Sequence, residues 1–524
     1  MLSKHTDKLI VFLLFALSFF AYLLTLAPSL FWGDSPELAA SAYTLGIAHP
    51  SGYPLYTLIG KLFTYFPFGT VAYRLNLMSA FFAALAVTLV YLIALKLAKS
   101  RVVGIISSLT FAFSYTFWSQ ATIAEVYTLN AFFVAILILL LLKWKESFDS
   151  RLLYAFCFLF GLGLTNHLTL ILILPASLYF VFSNRKNAVL QPKNLCIMAL
   201  LFAVGLLLYF YLPLRALHQP FMNWGNPITI KSLFEHITGS GYRHYFMPAF
   251  AMYNLKFALY FLLLQFPLTL GFSLVAFVMK WKTDRNSLIF LALIAISNIT
   301  YNVFYSIHDI IVYYIPAYLI ISIFMGAGLK LAIDFLLRIW QKRINYYALL
   351  GIAFILIMLN VLMLFNQHES TQRTFNAADE RYRPLIYTEL FPQGVDRHSF
   401  NATDAYASFV LKIAKPNAII VGNSDEAIFP LLYSQAVEGK RKDVIVIYAN
   451  MLTSAPWYAE QINEQHPELN LRVIGAYNNL SMEFIIPSVA YLIKKNPAFI
   501  KEFNEDYMQE YSYSKTLALP LYPK

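Results

Sequence analysis

Charged residues are scarce in this 524-residue sequence: they make up 13% of it, whereas 59% of it is hydrophobic. A soluble protein of this length could not bury so much apolar surface. The composition therefore excludes the soluble globular class and predicts an α-helical polytopic membrane protein. The first apolar run, Leu9–Leu26, is too long for a signal peptide and lacks a clear small-residue cleavage site, so we expect it to remain as the first span.

Several other features are missing from the sequence. It has two cysteines, Cys157 and Cys196, and both lie inside apolar runs, where small core residues are expected. It has no P-loop, no dinucleotide-binding glycine motif, no HExxH and no paired CxxC, which argues against coupling to nucleotide hydrolysis. Few charges lie in the middle of the apolar runs, which weakens an interpretation as an ion-coupled transporter.

The apolar runs predict eleven membrane spans, give or take one. Each run is long enough, or nearly so, to cross a hydrocarbon core of about 30 Å at about 1.5 Å per residue. The short run 151–166 and the long run 252–280, which has Pro267 in its middle, are the two that could change the count. The predicted spans are 8–30, 75–98, 102–120, 126–144, 151–166, 168–183, 194–214, 252–280, 286–305, 311–337 and 345–365.

The formal charge of +11 is explained by basic loops and does not require a nucleic-acid partner, because cytoplasmic loops of membrane proteins are rich in Lys and Arg. With the N-terminus in the cytoplasm, every second loop is cytoplasmic and basic, and an odd span count places the C-terminus outside. The short loops favour a bacterial inner membrane. The basic loop residues are Lys96, Lys99, Arg101, Lys143, Lys145, Arg151, Arg185, Lys186, Lys193, Lys280, Lys282, Arg285, Arg338, Lys342 and Arg343.

The loops predicted to lie outside hold most of the uncommon polar residues near the membrane. The first of them, Phe31–Tyr56, is the densest: it carries Asp34, Glu37 and His49 among glycines, prolines and aromatic residues. We therefore expect it to form the floor of a site. The same loop also carries Arg74, just before the second span, and the other outer loops supply Gln120, Glu125, Asn166, His167, Arg215, Trp224, Tyr242, Arg243, His244, His308 and Asp309.

Residues 366–524 are polar and of mixed charge, and we predict that they form a second, extracytoplasmic domain after the membrane domain 1–365. Alternating strands and helices predict a small α/β domain with parallel pairing. The turn Gly422–Asp425 either caps the helix that follows or binds a ligand, as such turns do in α/β domains. The predicted strands are Ala418–Val421 and Val444–Ile447, and the predicted helices are Asp404–Ile413, Glu426–Val437 and Trp457–Asn463.

Asp34 is the strongest candidate for chemistry. It follows Trp32 at the membrane edge, where ionisable groups are usually functional. The alternative is that it caps a short interfacial helix that starts near Ser35, with Glu37 in the first turn. That alternative does not account for the segment His49–Pro54, whose prolines and glycine predict a rigid path close to the membrane.

Glu125 lies at the outer start of the fourth predicted span. It could interact with the positive end of that helix, or it could face Asp34 and orient an acceptor or hold a divalent cation. Two carboxylates alone do not make a metal site, so the identity of any metal stays open. His308 and Asp309 are either a polar cap between spans or a wall of the site.

Arg74, Arg215 and His167 are the cations, or potential cations, at the outer ends of spans. They either reach towards lipid headgroups or bind a lipid phosphate, for which arginine is suited by its bidentate hydrogen bonds. Arg215 is the better candidate, because few arginines face outwards in this chain. His167, which follows Asn166, is more often a hydrogen-bonded structural residue.

The motifs together resemble the transmembrane protein 260 family, whose bacterial members were long grouped as a domain of unknown function. The resemblance covers nearly the whole chain, and its most specific block is Leu45–Leu55, in which Ser51 stands where the family usually has a second proline. The other matching segments are Trp32–Leu38, Arg74–Asn76, Ala124–Tyr127, Gly163–His167, Leu212–Arg215, Asn223–Pro227, Asn417–Pro430 and Glu438–Val444.

The resemblance implies a glycosyltransferase of the GT-C class that uses a polyprenyl-phosphate sugar, with mannose or another hexose, and acts as a protein O-mannosyltransferase on Ser or Thr of exported proteins. In that reaction Asp34 would be the base and Glu125 would orient the acceptor. His49, Arg74, Arg215 and His167 would bind the donor phosphate. Residues expected around them are Glu37, Tyr53, Asn166, Trp224, His308 and Asp309.

Two other classes remain open from the sequence. A flippase or transporter of lipid-linked sugars predicts polar residues deep in the spans and on both faces, whereas the polar residues here gather on one face. A non-catalytic assembly protein would bind a partner through the outer domain, and Asp34 would then be dispensable.

Overall fold

The computed structural model describes residues 2–189, 191–266, 270–273, 284–307, 309–339, 351, 355, 359, 395–422 and 424–469. Within them the chain is mainly helical. The α-helices of the membrane part are α1 (Leu2–Leu24), α2 (Ser35–Thr44), α3 (Pro54–Phe63), α4 (Val71–Ala98), α5 (Arg101–Ala112), α6 (Tyr115–Ala121), α7 (Tyr127–Ser147), α8 (Ser150–Leu164), α9 (Leu174–Val189), α10 (Pro192–Leu206), α11 (Tyr211–Ala216), α12 (Ile230–Thr238), α13 (Ala251–Gln265), α14 (Arg285–Phe304) and α15 (Ile315–Ile339).

Beyond the membrane part the elements are shorter. They are α16 (Ala402–Ile413), β1 (Ile419–Gly422), α17 (Asp425–Ala436), β2 (Ile445–Tyr448), α18 (Ala449–Ser454) and α19 (Pro456–Gln465). Six short 3-10 helices complete the list: Leu168–Ile173, Leu207–Phe210, Ser240–Tyr245, Pro248–Phe250, Ile310–Tyr314 and Pro467–Leu469.

Ten of the eleven predicted spans coincide with apolar helices. Among the described residues, six helical stretches are long and apolar enough to cross a membrane, and three shorter apolar helices start at 150, 168 and 248. The predicted span 102–120 is not straight: α5 and α6 meet at a bend of 68°. Ser114 begins the second helix there in an extended conformation, which interrupts the first. The predicted span 345–365 lies almost wholly outside the described residues, so the count of eleven stays a prediction.

Small residues let neighbouring helices approach closely, as is common inside membranes. Gly161 of α8 faces Gly205 of α10, and a Cβ on Gly161 would lie 2.3 Å from the carbonyl oxygen of Phe202. A larger side chain at either glycine would therefore push the two helices apart. The same packing buries the middle of α4 and α7, which form the centre of the hydrophobic core.

The loops predicted to be cytoplasmic meet at one end of the helices, where their charges pair. Arg101 Nε lies 2.6 Å from Asp7 Oδ1, and Lys145 Nζ lies 2.5 Å from Asp284 Oδ1. Lys96 also pairs with Glu146. The loops predicted to share one side of the membrane therefore do lie together at this end.

The C-terminal elements pack against the opposite end. The two strands pair in parallel, with Ile419 opposite Ile445, as the sequence predicted. Helix α17 packs on α2, and the Tyr433 hydroxyl accepts a hydrogen bond of 3.1 Å from the Ala72 amide. Arg397 is buried and lies 4.0 Å from the ring centre of Phe31. This domain therefore covers the first loop instead of standing apart from it.

Candidate functional site

A cavity of about 670 Å³ lies where the predicted outer loops meet the C-terminal domain. All five loops assigned to that side contribute to it, and so does α17. The residues that bear on its chemistry are Trp32, Asp34, His49, Tyr53, Gln120, Glu125, Tyr127, His167, Trp224, Tyr242, Arg243, Tyr245, Tyr301, Tyr305, Asp309, Tyr313, Asp425 and Phe429. The clustering of polar residues expected from the loop pattern is thus found in three dimensions.

Asp34 stands at the start of α2, but its side chain does not cap that helix. Its carboxylate lines the cavity, and 32% of the side chain is exposed. The Oδ2 atom lies 3.6 Å from His49 Nε2. The capping alternative is therefore not what the structure shows, and the carboxylate is available to a molecule in the cavity.

Glu37, one turn along α2, is completely buried and binds His49 twice. Its Oε1 accepts from the His49 amide at 2.8 Å, and its Oε2 lies 2.6 Å from His49 Nδ1. The Tyr53 hydroxyl donates to the Pro50 carbonyl oxygen at 3.2 Å and lies 2.9 Å from His49 Nε2. Both ring nitrogens of His49 thus face acceptors, which is the environment of an imidazolium.

The charges around His49 also favour its protonated form. Burial alone lowers the pKa of His49, but the negative charges of Glu37 and Asp34 prevail and raise it to about 10. The three residues therefore place the Asp34 carboxylate at the cavity, beside a buried pair of Glu37 and a protonated His49.

Glu125 differs from Asp34 in its surroundings. It is 8% exposed, and burial together with the charges of Asp34 and Asp309 raises the pKa of Glu125. Its amide donates to the Ser79 hydroxyl at 3.2 Å, which fixes the turn before α7. The shift favours a protonated Glu125, which can donate a hydrogen bond to a molecule in the cavity but is a poor base.

His167 lines the cavity as a neutral ring. Burial lowers its pKa to about 3, and the charge of His49 contributes in the same direction. Its Nδ1 lies 2.7 Å from the Thr169 hydroxyl, and its ring stacks on Tyr53 at 6.1 Å between centres. It can hydrogen-bond a substrate, but it carries no charge for a phosphate.

Arg74 and Arg215 lie outside the cavity. Arg74 donates to the carbonyl oxygens of Thr64, Phe68 and Gly69. Arg215 Nε donates to Leu45 at 2.6 Å and so satisfies the C-terminal end of α2. Their guanidinium groups are engaged by the main chain, which is why the structure does not bring them to the predicted phosphate site.

The remaining predicted residues fall in three groups. Trp224 and Asp309 line the cavity, and Asp309 Oδ2 accepts from the Tyr127 hydroxyl at 3.3 Å. Asn166 is buried, and its side-chain amide donates to the Val126 carbonyl oxygen at 3.2 Å, so it supports the start of α7. His308 lies outside the described residues.

Arg243, to which sequence reasoning assigned no role, and Asp425, which it placed in a turn that caps a helix or binds a ligand, both line the cavity. Arg243 is exposed and follows α12 in the loop, and it is the one arginine among the described lining residues. The Asp425 carboxylate accepts from the Tyr448 hydroxyl at 2.7 Å, while burial and the charge of Asp34 raise the pKa of Asp425 to about 7. Ser424 stands at the N-cap of α17 without a side-chain cap hydrogen bond, and the choice between the two roles of this turn stays a prediction.

One group of residues was tested as a metal site. Ligand atoms of Asp34, Glu37 and His49 all lie within 4.8 Å of one another. Both oxygens of Glu37, however, bind His49, whose Nε2 lies 2.9 Å from the Tyr53 hydroxyl and 3.6 Å from Asp34 Oδ2. Catalytic zinc sites commonly use three protein ligands, and magnesium prefers oxygen ligands. The arrangement does not fit a divalent cation, because Glu37 and the protonated His49 already bind each other.

Comparison with known families agrees with the motifs. Residues 34–190 match the family described as the protein O-mannosyl-transferase TMEM260 N-terminal domain, and residues 403–474 match TMEM260-associated domain 2. The mouse protein O-mannosyl-transferase TMEM260 is 38% identical over 222 residues, which are 41% of this chain and 32% of the relative. The protein of that name from Dictyostelium discoideum is 28% identical over 389 residues, 64% of this chain and 46% of the relative. The chain thus matches less than half the length of either relative.

Solved structures similar to this chain include two membrane enzymes. ArnT from Cupriavidus metallidurans bound to undecaprenyl phosphate has a TM-score of 0.52 at 12% identity and covers 85% of this chain and 91% of its own. The oligosaccharyltransferase of Archaeoglobus fulgidus in the apo form has a TM-score of 0.51 at 14% identity, covering 89% of this chain and 69% of its own. At these identities the likeness shows the fold alone, and the fold is that of GT-C glycosyltransferases.

Proposed function

We propose that this chain, which carries the N-terminal and associated domains of the TMEM260 protein O-mannosyl-transferases, is an inverting membrane glycosyltransferase. It moves mannose or another hexose from a polyprenyl phosphate to a Ser or Thr hydroxyl of an exported protein. The observation that carries the proposal is the exposed Asp34 carboxylate beside the buried Glu37–His49 pair, in a cavity that also holds Arg243.

The reaction needs one base and one site for negative charge. The acceptor hydroxyl oxygen attacks the anomeric carbon and its proton passes to Asp34, while the bond from that carbon to the phosphate oxygen breaks and polyprenyl phosphate leaves. Asp34 suits the first task because its carboxylate lines the cavity beside the protonated His49. Arg243 suits the second, because a phosphate leaving group gains charge as the bond breaks. In this proposal Arg243 replaces Arg74 and Arg215 as the donor's arginine.

The other lining residues orient the substrates. A protonated Glu125 and a neutral His167 are hydrogen-bonding partners for hydroxyl groups. Trp224 lies 6.1 Å from the His49 ring, between centres, and offers an aromatic face to the sugar. His49 and Glu37 act as positioning residues that hold Asp34 in place. A divalent cation is not part of this mechanism, and a chelator is expected to leave transfer unchanged.

The membrane arrangement is part of the proposal. The domain boundary falls at 365/366, the chain has eleven spans, and the cavity faces the periplasm of a bacterial inner membrane. The N-terminus is then cytoplasmic and the C-terminal α/β domain extracytoplasmic. Labelling of single cysteines placed at Lys99 and His244 from each side of sealed vesicles checks this: His244→Cys should react from outside and Lys99→Cys from inside only.

Sugar transfer in reconstituted membranes tests the activity. Purified chain is given defined polyprenyl-phosphate sugars and an acceptor polypeptide, with and without chelator. Asp34→Asn is expected to reduce transfer by on the order of 10³-fold, within the range of general-base catalysis. Glu235→Gln is the matched control, since Glu235 is exposed and does not line the cavity. Undiminished transfer by Asp34→Asn would refute the assignment.

A further inference from the structure

Helix α12 presents an unusual surface between the cavity and the membrane. Ile230 is 89% exposed and Phe234, one turn later, is 63% exposed. The next sector of the helix is polar and also exposed, with Lys231 and Glu235. A helix in water rarely leaves two large apolar side chains side by side on its open face. The apolar sector therefore needs something to cover it.

The third sector of α12 is fixed to the protein. His236 is 3% exposed, and Leu233 and Ile237 pack on the cluster that includes Leu212 and Ala216 at the end of α11. Glycine backbones approach His236 from two sides. A Cβ on Gly225 would lie 2.5 Å from His236 Nδ1, and one on Gly52 would lie 3.0 Å from Nε2. The rotation of the helix about its axis is thus determined by packing.

The exposed apolar sector continues a surface that already faces lipid. The candidate span Pro192–Ala216 is only 17% buried. Its last turns expose Phe210 and Leu214, and Leu217 follows at 63% exposure. Because α12 packs on the end of this span, Ile230 and Phe234 extend its exposed apolar surface.

We propose that α12 is an interfacial helix that lies in the outer surface of the bilayer, with Ile230 and Phe234 among the acyl chains and Lys231 and Glu235 in water. Its occupant is the lipid surface and not a protein partner. The helix ends at Gly239, and the 3-10 turn Ser240–Tyr245 that follows carries Arg243 into the cavity. The bilayer thereby sets the depth of Arg243 at headgroup level, where a lipid-borne phosphate lies. This last consequence rests on the proposed function, whereas the position of the helix does not.

Nitroxide labels measure the position directly and without turnover. Single cysteines replace Ile230, Phe234, Lys231 or Glu235 in a Cys157→Ala, Cys196→Ala background of the full chain. Each labelled protein is placed in nanodiscs of phosphatidylethanolamine and phosphatidylglycerol, and its collision rates with oxygen, which concentrates in acyl chains, and with a water-soluble nickel chelate are compared. Labels at 230 and 234 are expected to favour oxygen, and labels at 231 and 235 are expected to favour nickel.

Two results would overturn the proposal. Equal nickel access at all four positions would place α12 in water. Protection of positions 230 and 234 from both reagents would mean that a protein surface, such as a second copy of the chain, covers them. A chain with no transfer activity but with the expected label pattern would keep this inference while refuting the proposed function. An NBD fluorophore on the same cysteines gives a second measurement: its emission is expected to be blue-shifted at 230 and 234 relative to 231 and 235.

Discussion

The two ends of the membrane part use charge differently. At the end away from the cavity, Arg101 pairs with Asp7 and Lys145 with Asp284, and in each pair both side chains are between a quarter and a half exposed. At the cavity end, Glu37 has no exposed side-chain surface and holds His49 beside Asp34. Exposed pairs of the first kind contribute little to stability, whereas a buried pair must be satisfied completely or it destabilises the fold. Partly exposed ion pairs thus mark the end of the helices where the basic loops meet, whereas a buried pair holds the residues of the candidate site.

Among the substitutions in the charged pairs at the two ends of the membrane part, Glu37→Gln should reduce sugar transfer most. It keeps the shape of the side chain but removes the charge that holds His49 protonated, so transfer should fall by about 10²-fold, at the low end of acid–base effects. The basic limb of the pH–rate profile should also move to lower pH, because the pKa of His49 no longer reaches about 10. Glu146→Gln is the control, since Glu146 pairs with Lys96 at the opposite end. A slower Glu37→Gln enzyme with an unshifted profile would contradict the positioning role.

The same pair should make stability depend on pH. The folded pKa of His49, about 10, lies above its ordinary value of 6.5. Its contribution to the free energy of unfolding is therefore complete below about pH 6.5 and is lost as the pH rises through about 10. Thermal unfolding between pH 6 and 10 should show a steeper loss of stability in the parent protein than in Glu37→Gln. Parallel curves would exclude a charged His49 in the folded protein.

Arg215 and Arg243 belong to the same predicted outer loop, and replacing each by alanine should have a different effect. Arg243→Ala should lower kcat/KM for the lipid-linked donor by about tenfold to 10²-fold, because a hydrogen bond to a charged group contributes about 1.5–3 kcal/mol. Arg215→Ala should instead lower the free energy of unfolding by about 1–2 kcal/mol, since the C-terminal carbonyls of α2 lose their donor. Donor titrations and thermal unfolding separate the two effects. The assignment fails if Arg215→Ala changes donor affinity and Arg243→Ala does not.

Replacing Asp425 should have a smaller effect. The effect is on the stability of the folded protein, and its size depends on pH. Its folded pKa of about 7 exceeds the ordinary 3.8, so the charged form costs stability that grows as the pH rises from about 4 to 7. Asp425→Asn should therefore unfold at a higher temperature than the parent protein at pH 8. Near pH 4 the two should unfold together. An equal difference at both pH values would mean that ionisation is not the cause.

The smallest effect on stability is expected from substitutions in the ion pair of Lys145 and Asp284, at the end of the helices away from the cavity. Lys145→Met or Asp284→Asn should change the free energy of unfolding by less than about 1 kcal/mol, because both side chains are partly solvated. Transfer should not change. A large loss of activity from either variant would show that the two ends are coupled through the helices.

Much of this arrangement could be predicted from the sequence because it depends on local composition. The alternation of basic and acidic loops fixed which segments share a side, and the cavity collects residues from each predicted outer loop. The helix that begins at Ser35 was expected from the residues around Asp34. The strands near 419 and 445 were found within one residue by their apolar pattern.

What could not be predicted depends on packing between distant segments. Arg215 and Arg243 look alike in sequence, and only the fold shows that the first meets the end of α2 while the second lines the cavity. Asp425 lies far from Asp34 in the chain, so their proximity required the C-terminal domain to dock on α2. The bend between α5 and α6 occurs inside a continuous apolar run, whose composition does not indicate where the helix is interrupted.

The docking of that domain has a consequence for biosynthesis. In the proposed topology, Asp425 and Phe429, which complete the cavity wall, are made long after Asp34 and cross the membrane separately from it. While the ribosome is still at work, the cavity lacks one side. On the proposed function, a chain whose C-terminal domain is inserted into the other compartment would therefore have no transfer activity.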